Sequence, residues 1–121
     1  MQYALLLYSQ ETALPEAMSE ADREAFYADF RAFNEELREK GAYCASQRLR
    51  TVDTATTVRV EGGEAFVSDG PFAETKEALA GFYLIECADL DEALGWARRI
   101  PCSRIGAVEI RPIHVYARSV D

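Results

Sequence analysis

The sequence has a single histidine, His114, and only three cysteines, Cys44, Cys87 and Cys102, in 121 residues. One histidine and no CxxC pair leave too few converging ligands for the common zinc sites, so no metal is expected. An odd number of widely spaced cysteines makes no disulfide framework either, and a reducing, cytoplasmic setting is the expectation. Bases are scarce: 13 Lys and Arg against 21 Asp and Glu give a net charge of −8. Affinity for phosphate needs clustered Lys and Arg to release counterions, so this balance counts against nucleic acid and against an anionic membrane surface. Long apolar runs are missing too. Tyr3 to Tyr8 and Ala78 to Ile85 fall far short of the roughly 20 residues that span a bilayer, and Met1-Gln2-Tyr3-Ala4 has no basic n-region, so no signal peptide is expected. The chain also lacks a Gly-rich phosphate loop and a nucleophile elbow, and no organic cofactor is expected.

What remains is 49% apolar, enough for one core and one domain over residues 1–121. Tyr3 to Tyr8 is apolar at every position, which predicts a central strand covered on both faces. Ser19-Glu20-Ala21-Asp22 has the form of a helix N-terminus, with serine as cap and acids in the first turn. Phe26, Phe30, Phe33 and Leu37 follow at helical spacing and make one apolar stripe, ended by Gly41. Core packing against a sheet is the expected role of that stripe, with a pocket wall as the alternative. Tyr43 to Leu49 and Thr56 to Val60 read as strands, Gly62-Gly63 as a tight hairpin turn, and Leu79 to Cys87 as a further strand in which Gly81 marks a bulge or a close backbone approach. Cys44 and Cys87 are expected to be small buried hydrophobes within these strands. Asp89 and Glu92 repeat the capping pattern before a helix whose expected buried face is Leu90, Ala93, Leu94 and Ala97, with Trp96 on the flank. Ile100-Pro101 ends that helix, and Ala107 to Arg111 alternates as a final strand would, with Pro112 implying that it lies at a sheet edge or finishes there.

Two strand-helix-strand units in succession predict an α+β fold: a ferredoxin-like split βαβ sandwich, with an antiparallel sheet, both helices on one face and an extra hairpin between the units. The other sheet face then has nothing from its own chain to cover it. A second copy is the simplest cover, so a homodimer is expected.

Val67-Ser68-Asp69-Gly70-Pro71-Phe72-Ala73-Glu74-Thr75-Lys76-Glu77 is the least ordinary stretch. Gly70 permits positive φ and Pro71 fixes its own, so Asp69-Gly70-Pro71 is a stiff corner at a strand end that places side chains accurately. The segment resembles the DGPF motif of the YCII-related proteins. The likeness continues in Phe33-Asn34-Glu35-Glu36-Leu37, Gly81-Phe82-Tyr83-Leu84-Ile85, Asp89-Leu90-Asp91-Glu92-Ala93-Leu94 and Val108-Glu109-Ile110-Arg111-Pro112, from about residue 2 to residue 113. The resemblance implies a dimeric α+β barrel of ferredoxin-like protomers, in a superfamily that includes small-molecule isomerases, dehydrochlorinases and monooxygenases with a cleft between sheet and helices. It also implies a regulatory connection, because some members occur beside or fused to extracytoplasmic-function sigma factors. A His–Asp pair is the proposed active site elsewhere in the wider family. Asp69 matches the motif aspartate, but His114 lies beyond the matched stretch.

Two functions follow as expectations. The first is a small-molecule binder or cofactor-independent enzyme for a small polar or aromatic acid, its cleft bordered by the Asp69 to Lys76 loop. Asp69 is then the candidate base, which requires burial or a neighbouring acid such as Glu74 to raise its pKa. Its alternative role is to cap the turn by accepting from loop amides. Gly70, Pro71, Phe72, Glu74, Thr75 and Lys76 supply the rest of the loop, with Tyr83 offering a hydroxyl and Arg48 a cation from strands. The second function is a regulatory module whose acidic surface meets a basic protein such as a sigma factor or its anti-factor. Glu11 to Lys40 carries nine acids against four bases, and this is where that surface would lie.

Overall fold

The computed structural model describes residues 1–101 and 106–117; Cys102 and the last four positions of the tail lie outside the described residues. Strand β1 (Gln2–Ser9) leads through two short 3-10 turns, Glu11–Ala13 and Pro15–Ala17, to helix α1 (Glu20–Glu39). Strand β2 (Tyr43–Arg48), a third 3-10 turn (Val52–Thr54), a hairpin of β3 (Thr56–Glu61) and β4 (Glu64–Asp69), strand β5 (Ala78–Glu86), helix α2 (Leu90–Arg99) and strand β6 (Gly106–Pro112) complete the order. Four strands form one antiparallel sheet in the order β2-β5-β1-β6, and β3 and β4 pair only with each other. With the hairpin set aside, that order is the split βαβ arrangement, in which the first strands of the two units lie side by side in the middle.

Local chemistry accounts for the boundaries. Ser19 Oγ accepts from the Asp22 amide at 3.2 Å and opens α1, satisfying one of its orphan donors. The helix closes in a Schellman turn: Gly41 takes φ +69°, its amide reaches Arg38 O at 3.0 Å, and the Ala42 amide reaches Leu37 O at 2.8 Å. Asp89 Oδ1 caps α2 through the Glu92 amide at 3.0 Å, while the Glu92 carboxylate returns to the Ala88 amide at 2.9 Å, one residue before the cap. Gly62 and Gly63, at φ +57° and +82°, make the two-residue hairpin turn that positive φ at both centres requires.

The core lies between the sheet and both helices. Tyr3, Leu5 and Leu7 of β1 and Tyr83 and Ile85 of β5 face Phe33 and Leu37 of α1 and Ala93, Trp96 and Ile100 from α2 and its end. Phe33 is the hinge of this packing, meeting Tyr83 edge-on at 5.4 Å and Trp96 at 6.0 Å. Leu5, Leu37 and Ile85 are completely enclosed, each contributing about 1.5–3 kcal/mol of burial.

Two expectations change. The buried positions of α2 are Ala93, Trp96 and Ala97, whereas Leu90 is 51% exposed. Both registers have helical spacing, and the one adopted seats the large indole against Phe33. Cys87 is buried as expected, but Cys44 is exposed. It sits on the edge strand β2, at a register shift between Tyr43 and Ala45 that leaves it outside the core.

Candidate functional site

The aromatic stripe of α1 divides between two roles. Phe33 and Leu37 fill the core, while Phe30 and Phe26, one and two turns nearer the N-terminus, are half-buried and line one wall of a cavity with their rings tilted at 47° and 4.8 Å apart. This cavity, of about 260 Å³, lies between the N-terminal half of α1 and the sheet. Leu7 on β1, Leu14 on the connection between β1 and α1, and Ala80 and Phe82 on β5 add to its apolar lining.

Several polar groups enter this apolar space. Ser9, at the end of β1, is buried and donates to Gln10 O at 3.3 Å. Tyr83 donates its hydroxyl to Asn34 Oδ1, linking β5 to α1 across the cavity. Ser46 on β2 shares a 2.7 Å hydrogen bond with the Tyr43 hydroxyl. Arg48, the last residue of β2, brings the only cation that lines the cavity among the described residues, and no acid lines it. Its guanidinium donates to the Tyr27 hydroxyl at 3.3 Å and pairs with the Glu16 carboxylate.

Glu16 reaches Arg48 because of how the β1–α1 connection is fastened. Leu14 and Pro15 are buried beneath it, and Arg23 of α1 donates from Nε to Pro15 O at 3.0 Å and from a terminal nitrogen to Met18 O at 3.1 Å. Glu11 binds the Val52 amide at 2.8 Å and ties the same connection to the segment after β2. A hydrogen bond from its own backbone amide holds the Glu16 carboxyl below the usual carboxylate range; desolvation opposes this, and the hydrogen bond and charge of Arg48 add to it.

Floor and edge depend on Gly81. A Cβ built there would stand 2.7 Å from Gln47 O and 3.3 Å from Arg48 Cα, so glycine permits the close pairing of β5 and β2 at the cavity. A bulge adjoins it: Leu7 faces Gly81 and Tyr8 faces Leu79, which leaves Ala80 as the extra residue. The sequence expectation of a bulge or a close approach at Gly81 thus meets both.

The structure brings together Arg48 and Tyr83 but not the rest of the candidate set. No residue from Asp69 to Glu77 lines the cavity. The Asp69-Gly70-Pro71 corner is real, with Gly70 at φ +101°, its amide on Ala55 O at 2.8 Å and its carbonyl taking the Thr57 hydroxyl at 2.8 Å. Asp69 itself ends β4 exposed to solvent, as is Glu74. Phe72, 72% exposed, neither anchors the loop nor covers the cavity; it lies under the Arg59 guanidinium at 4.9 Å. Thr75 and Lys76 border a separate shallow hollow with Glu11, Thr12 and Val52. His114 is exposed and meets Tyr116 edge-on at 4.6 Å. Sequence reasoning missed Ser46 and the Leu14–Glu16 segment, which carry no motif, and gave Asn34 no site role although it lies in the family-like stretch Phe33 to Leu37. Among the described residues no cluster of His, Cys, Asp and Glu is arranged to hold a metal ion.

The model of the YCII-related domain matches residues 1–116 of this chain. The chain belongs to the YCII-related family. An uncharacterized protein of Rhizobium meliloti (strain 1021) is 42% identical over 118 residues, which cover 96% of this chain and 94% of that protein. The family match runs past residue 113 and takes in His114. For this YCII-related chain, no helix among the described residues is long and apolar enough to cross a membrane.

Proposed function

We propose that this YCII-related protein binds a small molecule in the cleft between α1 and the four-stranded sheet, with Arg48 and Tyr83 as polar contacts. The observation that carries this reading is the convergence of Ser9, Asn34, Ser46, Arg48 and Tyr83 on one apolar cavity of about 260 Å³. Ligand sites are concave, mostly apolar and furnished with a few placed polar groups. The volume of about 260 Å³ falls just below the roughly 300–1,000 Å³ usual for such sites, which favours a small ligand. Arg48 and Tyr83 come from adjacent strands, and the cavity also draws on α1 and the β1–α1 connection, so the lining is carried by rigid elements.

Titration with indole, a neutral arene, followed by amide and aromatic NMR shifts, tests the reading. The expected perturbations cluster on Phe26, Phe30, Ser46 and residues 80–83. Shifts scattered over the surface, or confined to the Asp69–Lys76 loop, would refute the cleft as the binding site.

A further inference from the structure

Resting on that reading of the cleft, we infer that its ligand is an aromatic monocarboxylate whose carboxylate takes the place of Glu16 on Arg48. The wall chemistry selects the ring. Phe26 and Phe30 line the cavity with two rings tilted at 47° to each other, Leu7 and Leu14 add apolar surface around them, and the space suits one ring or two fused rings.

The charge pattern selects a single anion. In a chain of net charge −8, the cavity lining carries one guanidinium and no carboxylate among the described residues. A second anionic group on the ligand would enter apolar surroundings with no cation to meet it, at a large desolvation cost. Arg48 has a planar fork of donors suited to a carboxylate, and in this structure a carboxylate already occupies it: that of Glu16.

Glu16 is an internal stand-in, not part of the cavity wall. Its backbone is clamped by Arg23 and by buried Pro15, but its side chain is 57% exposed and that of Arg48 is 39% exposed. An ion pair so accessible to water contributes little to stability. The Glu16 side chain can therefore rotate into solvent without moving the connection that holds it. A ligand carboxylate that replaces it keeps the guanidinium paired, while the attached ring gains apolar burial that Glu16 cannot supply. Tyr27, whose hydroxyl accepts from Arg48 at 3.3 Å, holds the guanidinium at the cavity mouth during the exchange.

The test compares phenylacetate and indole-3-acetate with their primary amides by calorimetry on the full chain at neutral pH, alongside indole. The acids are expected to bind about tenfold more tightly than the amides, the size of one charge-assisted contact. Glu16→Gln removes the competing carboxylate and is expected to tighten the acids several-fold while leaving the amides within about twofold. Arg48→Met keeps the apolar stem and is expected to lower acid binding to the level of the amides, which erases the preference, with the thermal midpoint retained. If amides and indole bind but acids bind no better, the inference fails and the cleft reading stands. Should the acid preference survive Arg48→Met, Arg48 is not the anion seat and the inference fails likewise. Binding by none of the five compounds overturns both.

Discussion

Gly81 shows how one residue sets the cavity. Its missing Cβ is what lets Gln47 O approach, and the obstructing atom is backbone, which cannot swing aside as a side-chain end would. Gly81→Ala is therefore expected to destabilise the fold by about 1–3 kcal/mol, the usual cost of forcing atoms into a close-packed site. Urea unfolding checks this: the midpoint should fall with the slope unchanged, and a midpoint equal to that of the parent chain would show that β2 moves away freely. Because Arg48 stands opposite Gly81 in the β2–β5 register, the same substitution should also weaken binding of indole in the cleft. Gly81 was readable as special from the sequence, since glycine inside an apolar strand has few other reasons to be there. Arg48 was not distinguishable in the same way from Arg59 and Arg111, which also lie in strands. Only the fold separates them: Arg59 covers Phe72, and Arg111 pairs with Glu109 two residues away on its own strand.

Elements whose signals are local were legible. Ser19 and Asp89 announce their helices because a cap is a contact between residues three apart, and Gly62-Gly63 announces a hairpin because two adjacent positive φ values need glycine. The face of α2 was not legible, because two registers of the same period compete and the choice rests on Phe33, sixty-three residues before Trp96. Likewise the connection from Gln10 to Met18 has no periodicity to read, although its Leu14 and Glu16 shape one side of the site. The β3–β4 hairpin is legible as an element yet unusual in its setting. Val58, Val60 and Val67 share one face through the pairing of Val58 with Val67, and all three are at least 60% exposed. A two-stranded hairpin alone is marginally stable in water, so its amides should open far more readily than those of the main sheet. Native-state hydrogen exchange is expected to show β3 and β4 exchanging roughly a hundredfold or more faster than Leu5, Leu7 and Ile85. Protection equal to that of β1 would mean that another surface covers the valines.

At the scale of the whole molecule, the cleft was visible to sequence reasoning only as a fold-level expectation, and its border was placed on the Asp69–Lys76 loop. Five separate segments build it instead: the end of β1, the connection after it, α1, β2 and β5. No motif spans such a set, which is why the conspicuous corner at Gly70 drew attention that the quiet residues Asn34 and Ser46 did not. The sheet leaves a second consequence on its other side. Tyr3, Leu5, Leu7 and Ser9 turn toward the helices, so Ala4, Leu6 and Tyr8 turn away, beside Phe82 and Leu84 of β5 and Ala45 of β2 in the paired register. These side chains form an apolar centre, bordered by Glu86, Glu109 and Arg111, with no element of the described chain laid over it. We propose that a second copy covers this face, sheet against sheet, since an isologous contact needs only that the patch match itself. Ultracentrifugation at micromolar concentration should then give twice the 13.5 kDa chain mass. Leu6→Glu, which puts a charge at the centre of the face while leaving the helix-side core intact, should return the mass to that of one chain. A parent chain that sediments as a monomer at every concentration would refute the pairing, and it would leave the cleft on the opposite face of the sheet untouched.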